Sequence, residues 1–253
     1  MGIQSIDRAV SILKLLSKYD EGLPISEICA KLGLPLGTAH RFLQSLIENG
    51  LVMQDTRTKF YQLGLAMLQM SSVMINSDRL AKIAREPMQA AANELQNLVY
   101  LCRENAGEVV CISCVNYDSG SSLTRFAAQI GGYMPFHAAA AGKIILAYGG
   151  PQKFEEVFKR KAPLEKFTPK TLVTHDEVLE DLRTCRARGY SICDEEHEPG
   201  VIAAAAPIRS FDGSVTSCVA ATGIKASVSL PDLIATVTSC AAAISRALGY
   251  AQV

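Results

Sequence analysis

The chain has 253 residues, of which 49% are apolar, and its 25 Lys and Arg balance its 25 Asp and Glu. That apolar content can bury a core and excludes global disorder, while the zero net charge excludes a polybasic protein that binds polyanions by bulk charge. The sequence has no apolar run of transmembrane length and no signal-peptide pattern at its N-terminus. We therefore expect a cytoplasmic protein of one or two domains.

Eight cysteines raise the question of a metal or redox site. Only Cys111 and Cys114 are close in sequence, and a zinc site normally needs a second such pair or a His pair at ligand spacing. The sequence therefore predicts no metal and no cofactor. Two interpretations of the thiols stay open: small buried side chains in a reducing compartment, or a redox switch that uses Cys111, Cys114 or Cys193.

Short helices and a hairpin fill residues 1–64. Apolar residues recur at helical spacing in three segments, of which the first runs from about 5 to 19 and the third ends at Asn49-Gly50. Two β-prone runs, 51–54 and 59–63, then flank a polar tip and predict a hairpin. This order of elements predicts a winged helix-turn-helix whose third helix can enter a DNA major groove.

The third helix is predicted to carry the DNA-contacting groups, because its polar face is nearly free of acids. The side chains that point outward are Thr38, His40, Arg41 and Gln44, and such groups contact base edges and phosphates. Arg57 and Lys59 add two cations at the hairpin tip. Residues 1–65 hold seven Lys and Arg against six Asp and Glu. One such domain would bind DNA weakly, so at least two copies are needed.

Residues 65–77 are predicted to form a linker helix with an apolar stripe, which consists of Leu65, Met67, Leu68, Met70 and Met74. A partner subunit or the next domain is expected to cover it. From residue 78 a helix runs to about Gln96, and strands then alternate with helices. Strands are predicted at 98–103, 109–115, 122–129, 190–194, 202–209 and 215–222, and helices at 138–148, 152–161, 175–188 and 231–248. Residues 78–253 are thus predicted to form a second, α/β domain.

Two independent sets of motifs follow each other in order along the chain. The N-terminal set includes SIDRAVSIL from Ser5, LGLP from Leu32, TAHRFL from Thr38 and YQLG from Tyr61. The C-terminal set includes PFHA from Pro135, AGK from Ala141, DEEHEPGV from Asp194 and AAPI from Ala205. On these motifs the chain resembles the IclR family of bacterial transcription regulators over essentially its whole length.

The resemblance implies an α+β protein: a winged helix-turn-helix, a linker helix and an effector-binding domain with a curved antiparallel, GAF-like sheet. It implies a DNA-binding regulator, for which we favour repression, that responds to a small organic acid. It also implies a homodimer that pairs into a dimer of dimers on double-stranded operator DNA. An enzyme is the weaker interpretation, because the sequence contains no nucleophile elbow, phosphate loop, HExxH or dinucleotide fingerprint.

The resemblance also carries over an effector pocket. Its residues in this chain are Ala140, Ala141, Cys193, Val201, Ala203, Ala220 and Thr222. The family commonly has more polar residues at three of these positions, so we expect a roomier, less polar pocket that suits a longer or aromatic acid. Arg125 is the candidate cation nearest to it in sequence.

Further expectations concern five more residues. His137 and His197 are expected to be hydrogen-bonded structural residues. Glu195, Glu196 and His197 are not expected to share a metal ion, because adjacent strand residues point to opposite faces. Gly37 stands where the family often has a polar residue, so contact with DNA bases is not expected at this position.

Overall fold

The structure, a computed structural model, describes residues 3–117 and 128–251. They divide into two compact units, Met1–Ser77 and Asp78–Val253. Arg125 and most of the strand predicted at 122–129 lie outside the described residues. None of the described helices is long and apolar enough to cross a membrane.

The first unit contains three helices, a two-stranded wing and a fourth helix. In chain order its elements are α1 (Gln4–Leu16), α2 (Ile25–Leu32), α3 (Leu36–Glu48), β1 (Val52–Gln54), β2 (Tyr61–Leu63) and α4 (Leu65–Ser77). Gly33 ends α2 with a left-handed φ of 62° and allows the sharp turn into α3. Ile12, Ile28, Leu43 and Val52 are buried together between the helices and the wing. The predicted winged helix-turn-helix is confirmed.

The second unit is built from helices and one antiparallel sheet. Its elements are α5 (Arg79–Leu95), β3 (Leu98–Asn105), β4 (Glu108–Val115), α6 (Ala140–Gly149), α7 (Pro151–Lys161), α8 (His175–Arg188), β5 (Ser191–Asp194), β6 (Val201–Arg209), β7 (Val215–Ile224) and α9 (Leu230–Ala247). The strand order is β4-β3-β7-β6-β5, and every neighbouring pair is antiparallel. The predicted antiparallel sheet is thus confirmed.

The side chains of this sheet alternate between two cores. On β3, Leu98, Tyr100 and Cys102 face the core that includes α6, α7 and α8, whereas Val99 and Leu101 face the core that includes α5 and α9. Alternation of this kind is the period-two pattern expected of a strand. The sheet is therefore covered by helices on both faces, and the first face positions the candidate effector site.

Small residues allow helix α6 to approach the sheet and the turn before it. Gly142 is completely enclosed, because a Cβ added there would lie 2.3 Å from the Pro135 carbonyl oxygen. The chain makes a turn at Pro135, whose carbonyl accepts a hydrogen bond from the Ala139 amide at 2.9 Å. Helix α6 consequently begins at Ala140 and not at the predicted residue 138.

Candidate DNA-binding and effector sites

Helix α3 presents a polar, exposed face on the first unit. His40, Arg41 and Gln44 are exposed, Thr38 is half-buried, and the opposite side of the helix is buried through Ala39 and other apolar residues. The Gln44 amide donates to the Glu48 carboxylate at 3.2 Å. This pairing occupies the acid nearest to the face, which leaves Arg41 as the cation that can contact a base edge or a phosphate.

The tip of the wing is organised by one carboxylate. Asp55 accepts hydrogen bonds from the Arg57 amide at 2.9 Å, the Thr58 amide at 2.6 Å and the Thr58 hydroxyl at 3.0 Å. These bonds, from Thr58 first, lower the pKa of Asp55. Arg57 and Lys59 are exposed on this turn, and Lys59 has a left-handed φ of 61°. Both cations thus project from a fixed backbone.

In the second unit, five of the seven sequence-predicted effector residues line one small cavity. They are Ala140, Cys193, Val201, Ala203 and Thr222. Three of them form a row across the sheet, since Ala203 pairs in register with Cys193 on β5 and with Thr222 on β7. The start of α6 closes the row from above through Ala139 and Ala140. A helix start presents free backbone amides, which suit a carboxylate.

Ala141 and Ala220 do not line the cavity. Both are completely buried in the adjacent core. Ala141 is covered because its carbonyl oxygen faces the Cys218 thiol at 3.7 Å. Ala220 pairs in register with Tyr100, and it is Tyr100 that lines the cavity.

The cavity is small because three large side chains that were not predicted to line it do so. About 20 Å³ is open to the centre of a water molecule, which is room for one water or little more. The predicted roominess is therefore wrong for this structure, because Tyr100, Met134 and His197 occupy the space that the small residues leave. Burial raises the pKa of Tyr100 well above its ordinary value. Its phenol keeps its proton and can donate a hydrogen bond to an anion.

A buried ion pair fixes α6 to the segment beside the cavity. Lys143 is 1% exposed, its ammonium lies 2.9 Å from the Asp181 carboxylate, and it also contacts Glu196. Burial lowers the pKa of Lys143, but the two carboxylates outweigh this effect and the pKa is raised overall, so the side chain is charged. The Lys143 ammonium also donates to the Ile192 carbonyl at 3.3 Å.

His137 and His197 lie on either side of Phe167. Their ring centroids are 5.7 Å and 4.8 Å from that of Phe167. His137 Nε2 is 2.8 Å from the Glu165 carbonyl oxygen, while its buried Nδ1 has no partner in the described part of the chain. Burial lowers the pKa of both histidines. Both are therefore neutral near pH 7, which suits a structural role.

The acidic segment after β5 is a turn and not a strand. β5 ends at Asp194, and Glu195 has a left-handed φ of 61°. Glu195 contacts Lys170 and Lys225, whereas Glu196 points to Lys143. The expectation that Glu195, Glu196 and His197 alternate along a strand is therefore wrong. Within residues 3–117 and 128–251, no three His, Cys, Asp or Glu side chains are placed to hold a metal ion.

Larger clefts exist elsewhere in the second unit. One of about 440 Å³ lies between β6 and α9 and includes Arg188, Arg209 and Arg246, and another of about 470 Å³ lies among α6, α7 and α8. Neither contains a sequence-predicted effector residue. The small cavity, in contrast, is lined by a helix start, the buried Tyr100 and Thr222, whose hydroxyl donates to the Ile202 carbonyl at 3.1 Å. Convergent polar groups in an apolar wall are what a ligand site requires.

Comparison with known protein families identifies both units. Residues 5–56 match the IclR helix-turn-helix domain, and residues 73–246 match the family described as bacterial transcriptional regulator IclR C-terminal. The chain belongs to the IclR family. It is a DNA-binding transcriptional regulator and not an enzyme, and its helix-turn-helix unit binds DNA.

Relatives in the IclR family match almost the whole chain. The glycerol operon regulatory protein of Streptomyces coelicolor is 31% identical over 98% of this chain and 97% of its own. The HTH-type transcriptional repressor AllR of Escherichia coli K12 is 29% identical over 88% of this chain and 80% of its own. These matches extend across the helix-turn-helix and the second unit together.

Solved structures share the IclR fold. A regulator from Alicyclobacillus acidocaldarius has a TM-score of 0.82 at 22% identity and covers 98% of this chain and all of its own. An IclR homologue from Microbacterium hydrocarbonoxydans, solved with 4-hydroxybenzoate, has a TM-score of 0.76 at 23% identity and covers 96% of this chain and 98% of its own.

Proposed function

We propose that this IclR-family regulator is a repressor whose affinity for operator DNA is controlled by a small organic acid. The observation that carries the DNA-binding part is the exposed, acid-poor face of α3 beside a wing tip with two cations. Direct readout is assigned to Thr38, His40, Arg41 and Gln44, and backbone contacts to Arg57 and Lys59. The second unit, with its enclosed cavity, is the effector-binding part.

Repression is supported by a relative. The AllR protein of Escherichia coli K12, which matches 88% of this chain, is described as a transcriptional repressor. In a repressor of this type the ligand-free protein occupies the operator, and the effector shifts the population toward a form with lower DNA affinity. The effector must therefore bind the two forms with different affinities.

The chemistry of the cavity favours a monocarboxylic acid with an apolar body, aromatic or of medium chain length. The start of α6 and the Tyr100 phenol supply hydrogen-bond donors, and Cys193, Ala203 and Met134 supply apolar walls. A homologue of the same fold binds 4-hydroxybenzoate. An acid of that size needs more room than one water, so Tyr100 and the flexible Met134 side chain must move on binding. The carboxylate is assigned to the helix start.

Two or more copies are proposed to act together on DNA. Helix α4 buries none of its side chains, and Leu65, Leu68, Met70 and Met74 are each more than 60% exposed. A second copy of the same stripe is the occupant that fits, because a two-fold pair would also place two weakly charged DNA-binding units on one operator. We propose a homodimer that pairs into a dimer of dimers.

Binding of duplex DNA tests the first part of this proposal. Sequences that the protein retains from a random duplex pool are titrated with wild type and Arg41→Ala. The variant is expected to lose discrimination against mismatched sites, because a contact to a base edge contributes about 1–3 kcal/mol of specificity. Because Arg41 is exposed, its replacement is expected to leave the fold intact, and circular dichroism checks this. Undiminished specificity in Arg41→Ala would contradict the assignment.

Thermal unfolding across a panel of organic acids tests the second part. An acid that binds the native state raises the melting temperature by mass action. We expect aromatic or medium-chain monocarboxylates to raise it most, and the amide of the same compound, which lacks the charge, to have no effect. A panel in which neutral amides stabilise the protein as well as acids would contradict a carboxylate site.

A further inference from the structure

Cysteines form a row across three strands on the cavity side of the sheet. Cys102 on β3 pairs in register with Cys218 on β7 and with Cys111 on β4. Cys114, also on β4, packs against the same core. All of them are free thiols. The proposed ligand site uses none of these four side chains.

A β-bulge brings two of the thiols together. Residues three apart in a regular strand point to opposite faces, yet Cys111 and Cys114 share one. The register explains this, because Leu101 pairs with Ser113 and Cys102 pairs with Cys111, so that Ile112 is the extra residue of a bulge. The two Sγ atoms lie 3.4 Å apart as a result.

The row is not arranged as a metal site. Over the described ranges, no three His, Cys, Asp or Glu side chains surround a common point that could hold an ion. Soft metals prefer several thiolates around one centre. The close contact between Cys111 and Cys114 therefore favours bond formation between the two sulfurs.

The two thiols differ in access and in acidity. Cys114 is half-buried and Cys111 is fully buried. Hydrogen bonds from the Cys102 and Cys114 thiols lower the pKa of Cys111, whereas the hydrogen bond to Cys111 and burial raise the pKa of Cys114. Cys114 is the more exposed of the two thiols, and Cys111 lies beside it as the sulfur that can take its proton and then react with the oxidised product.

We propose that Cys111 and Cys114 form a reversible disulfide when the protein meets a hydroperoxide. The Cys114 thiol passes its proton to the Cys111 sulfur 3.4 Å away and attacks the peroxide, the O–O bond breaks, and a sulfenic acid and one water or alcohol result. Cys111 then attacks the sulfenic sulfur, the S–S bond forms, and the hydroxyl leaves as water with the remaining proton. The two thiols lose two electrons and the peroxide gains them. A small dithiol reverses the reaction by thiol–disulfide exchange.

Oxidation acts on the wall of the cavity. Tyr100 pairs in register with Cys114 and lines the cavity. Closing the sulfur contact from 3.4 Å to about 2 Å shifts the bulged strand beside this ring. The disulfide is thereby a second input to the proposed effector site. Its formation can be tested without DNA or effector, so its failure would be distinct from failure of the proposed regulator function.

The reduced full-length protein is treated with hydrogen peroxide, and its free thiols are counted and mapped by peptide mass. Wild type is expected to lose two of its eight thiols, with Cys111 joined to Cys114, and to regain them with dithiothreitol. Cys111→Ser should stop at a sulfenic acid on Cys114 that dimedone traps. Cys240→Ser, on the opposite core, is the matched control and should still form the disulfide.

The wild-type result alone decides the proposal. Retention of all eight thiols after peroxide treatment, or a disulfide between a different pair of cysteines, would overturn it. The effect on the cavity is measured by hydrogen exchange of the peptide that contains Tyr100. Oxidised and reduced wild type are expected to differ there, while Cys114→Ser treated with peroxide should not. Identical exchange in the two wild-type forms would overturn the link to the cavity.

Discussion

Arg57 and Lys59 are the residues proposed to strengthen binding to DNA of any base sequence. They lie on a turn that Asp55 fixes with three hydrogen bonds, and both side chains are exposed. A cation at such a tip can contact the DNA backbone next to the groove that α3 is proposed to enter. Contacts with phosphates strengthen binding to any sequence, whereas contacts with bases discriminate between sequences.

Replacement of Arg57 by Ala is expected to weaken binding to all duplexes by a similar factor. The slope of log affinity against log salt should flatten by about 0.9, the contribution of one phosphate contact. Titrations at several salt concentrations measure this. Lys18→Ala, which removes an exposed cation outside α3 and the wing, is the matched control and should leave the slope unchanged. An equal change in both variants would show that Arg57 acts only through net charge.

The buried histidines give the second prediction at this scale. The pKa values of His137 and His197 are lowered from an ordinary value of 6.5, and burial is the first cause for both. Between the folded and unfolded pKa values the unfolded chain binds more protons, so stability falls as the pH falls below about 6.5. Melting temperatures between pH 7.5 and 5.5 should show this decline. The double variant His137→Phe/His197→Phe should have a shallower decline, and an unchanged one would contradict the assignment.

Helices, strands and turns were predictable from the sequence where neighbouring residues alone determine them. The helices of the first unit and the Asn49-Gly50 stop depend on neighbouring residues, and the structure contains them. Tyr100 was missed because its place in the cavity depends on the pairing of β3 with β7, which residue spacing along the chain does not contain. The helix start at Ala140 and the turn at Glu195 likewise depend on contacts with distant segments.

The wing gives a prediction at the scale of an element. Asp55→Ala removes the acceptor for three hydrogen bonds at the tip, so the turn loses its fixed shape while the buried core at Val52 and Tyr61 is retained. DNA affinity is expected to fall although a negative charge has been removed near DNA. Asp20→Ala, which removes an exposed acid elsewhere in this unit, is the control. Tighter DNA binding by Asp55→Ala would show that the charge matters more than the turn.

For the whole molecule, the decisive proposed feature is assembly. The exposed apolar side chains of α4 surround the helix, since Leu65 and Met74 are nine residues apart and lie on opposite sides, and the helix buries none of its own side chains. Burial of apolar area contributes roughly 25 cal/mol per Å², so packing of these side chains against a second copy favours association. Two DNA-binding units held at a fixed spacing then recognise two half-sites.

Leu68→Glu is expected to dissociate the assembly. A carboxylate in the middle of the stripe would be buried without a partner, which is strongly unfavourable. Light scattering at micromolar concentration should give an oligomer for wild type and a monomer for the variant. Gln152→Glu, which adds the same charge at an exposed position of α7 in the second unit, is the control and should stay oligomeric. A wild-type monomer would contradict the proposed assembly.

The account as a whole claims that a ligand in the small cavity controls binding of DNA by α3 and the wing. It is tested most directly by operator titration with and without the acid that most raises the melting temperature, on wild type and on Ala203→Leu. Ala203 lies between Cys193 and Thr222, so leucine fills the cavity. We predict that the acid changes wild-type affinity about 5- to 150-fold, for a coupling of about 1–3 kcal/mol, and leaves the variant unchanged. An equal response in both proteins would contradict the claim.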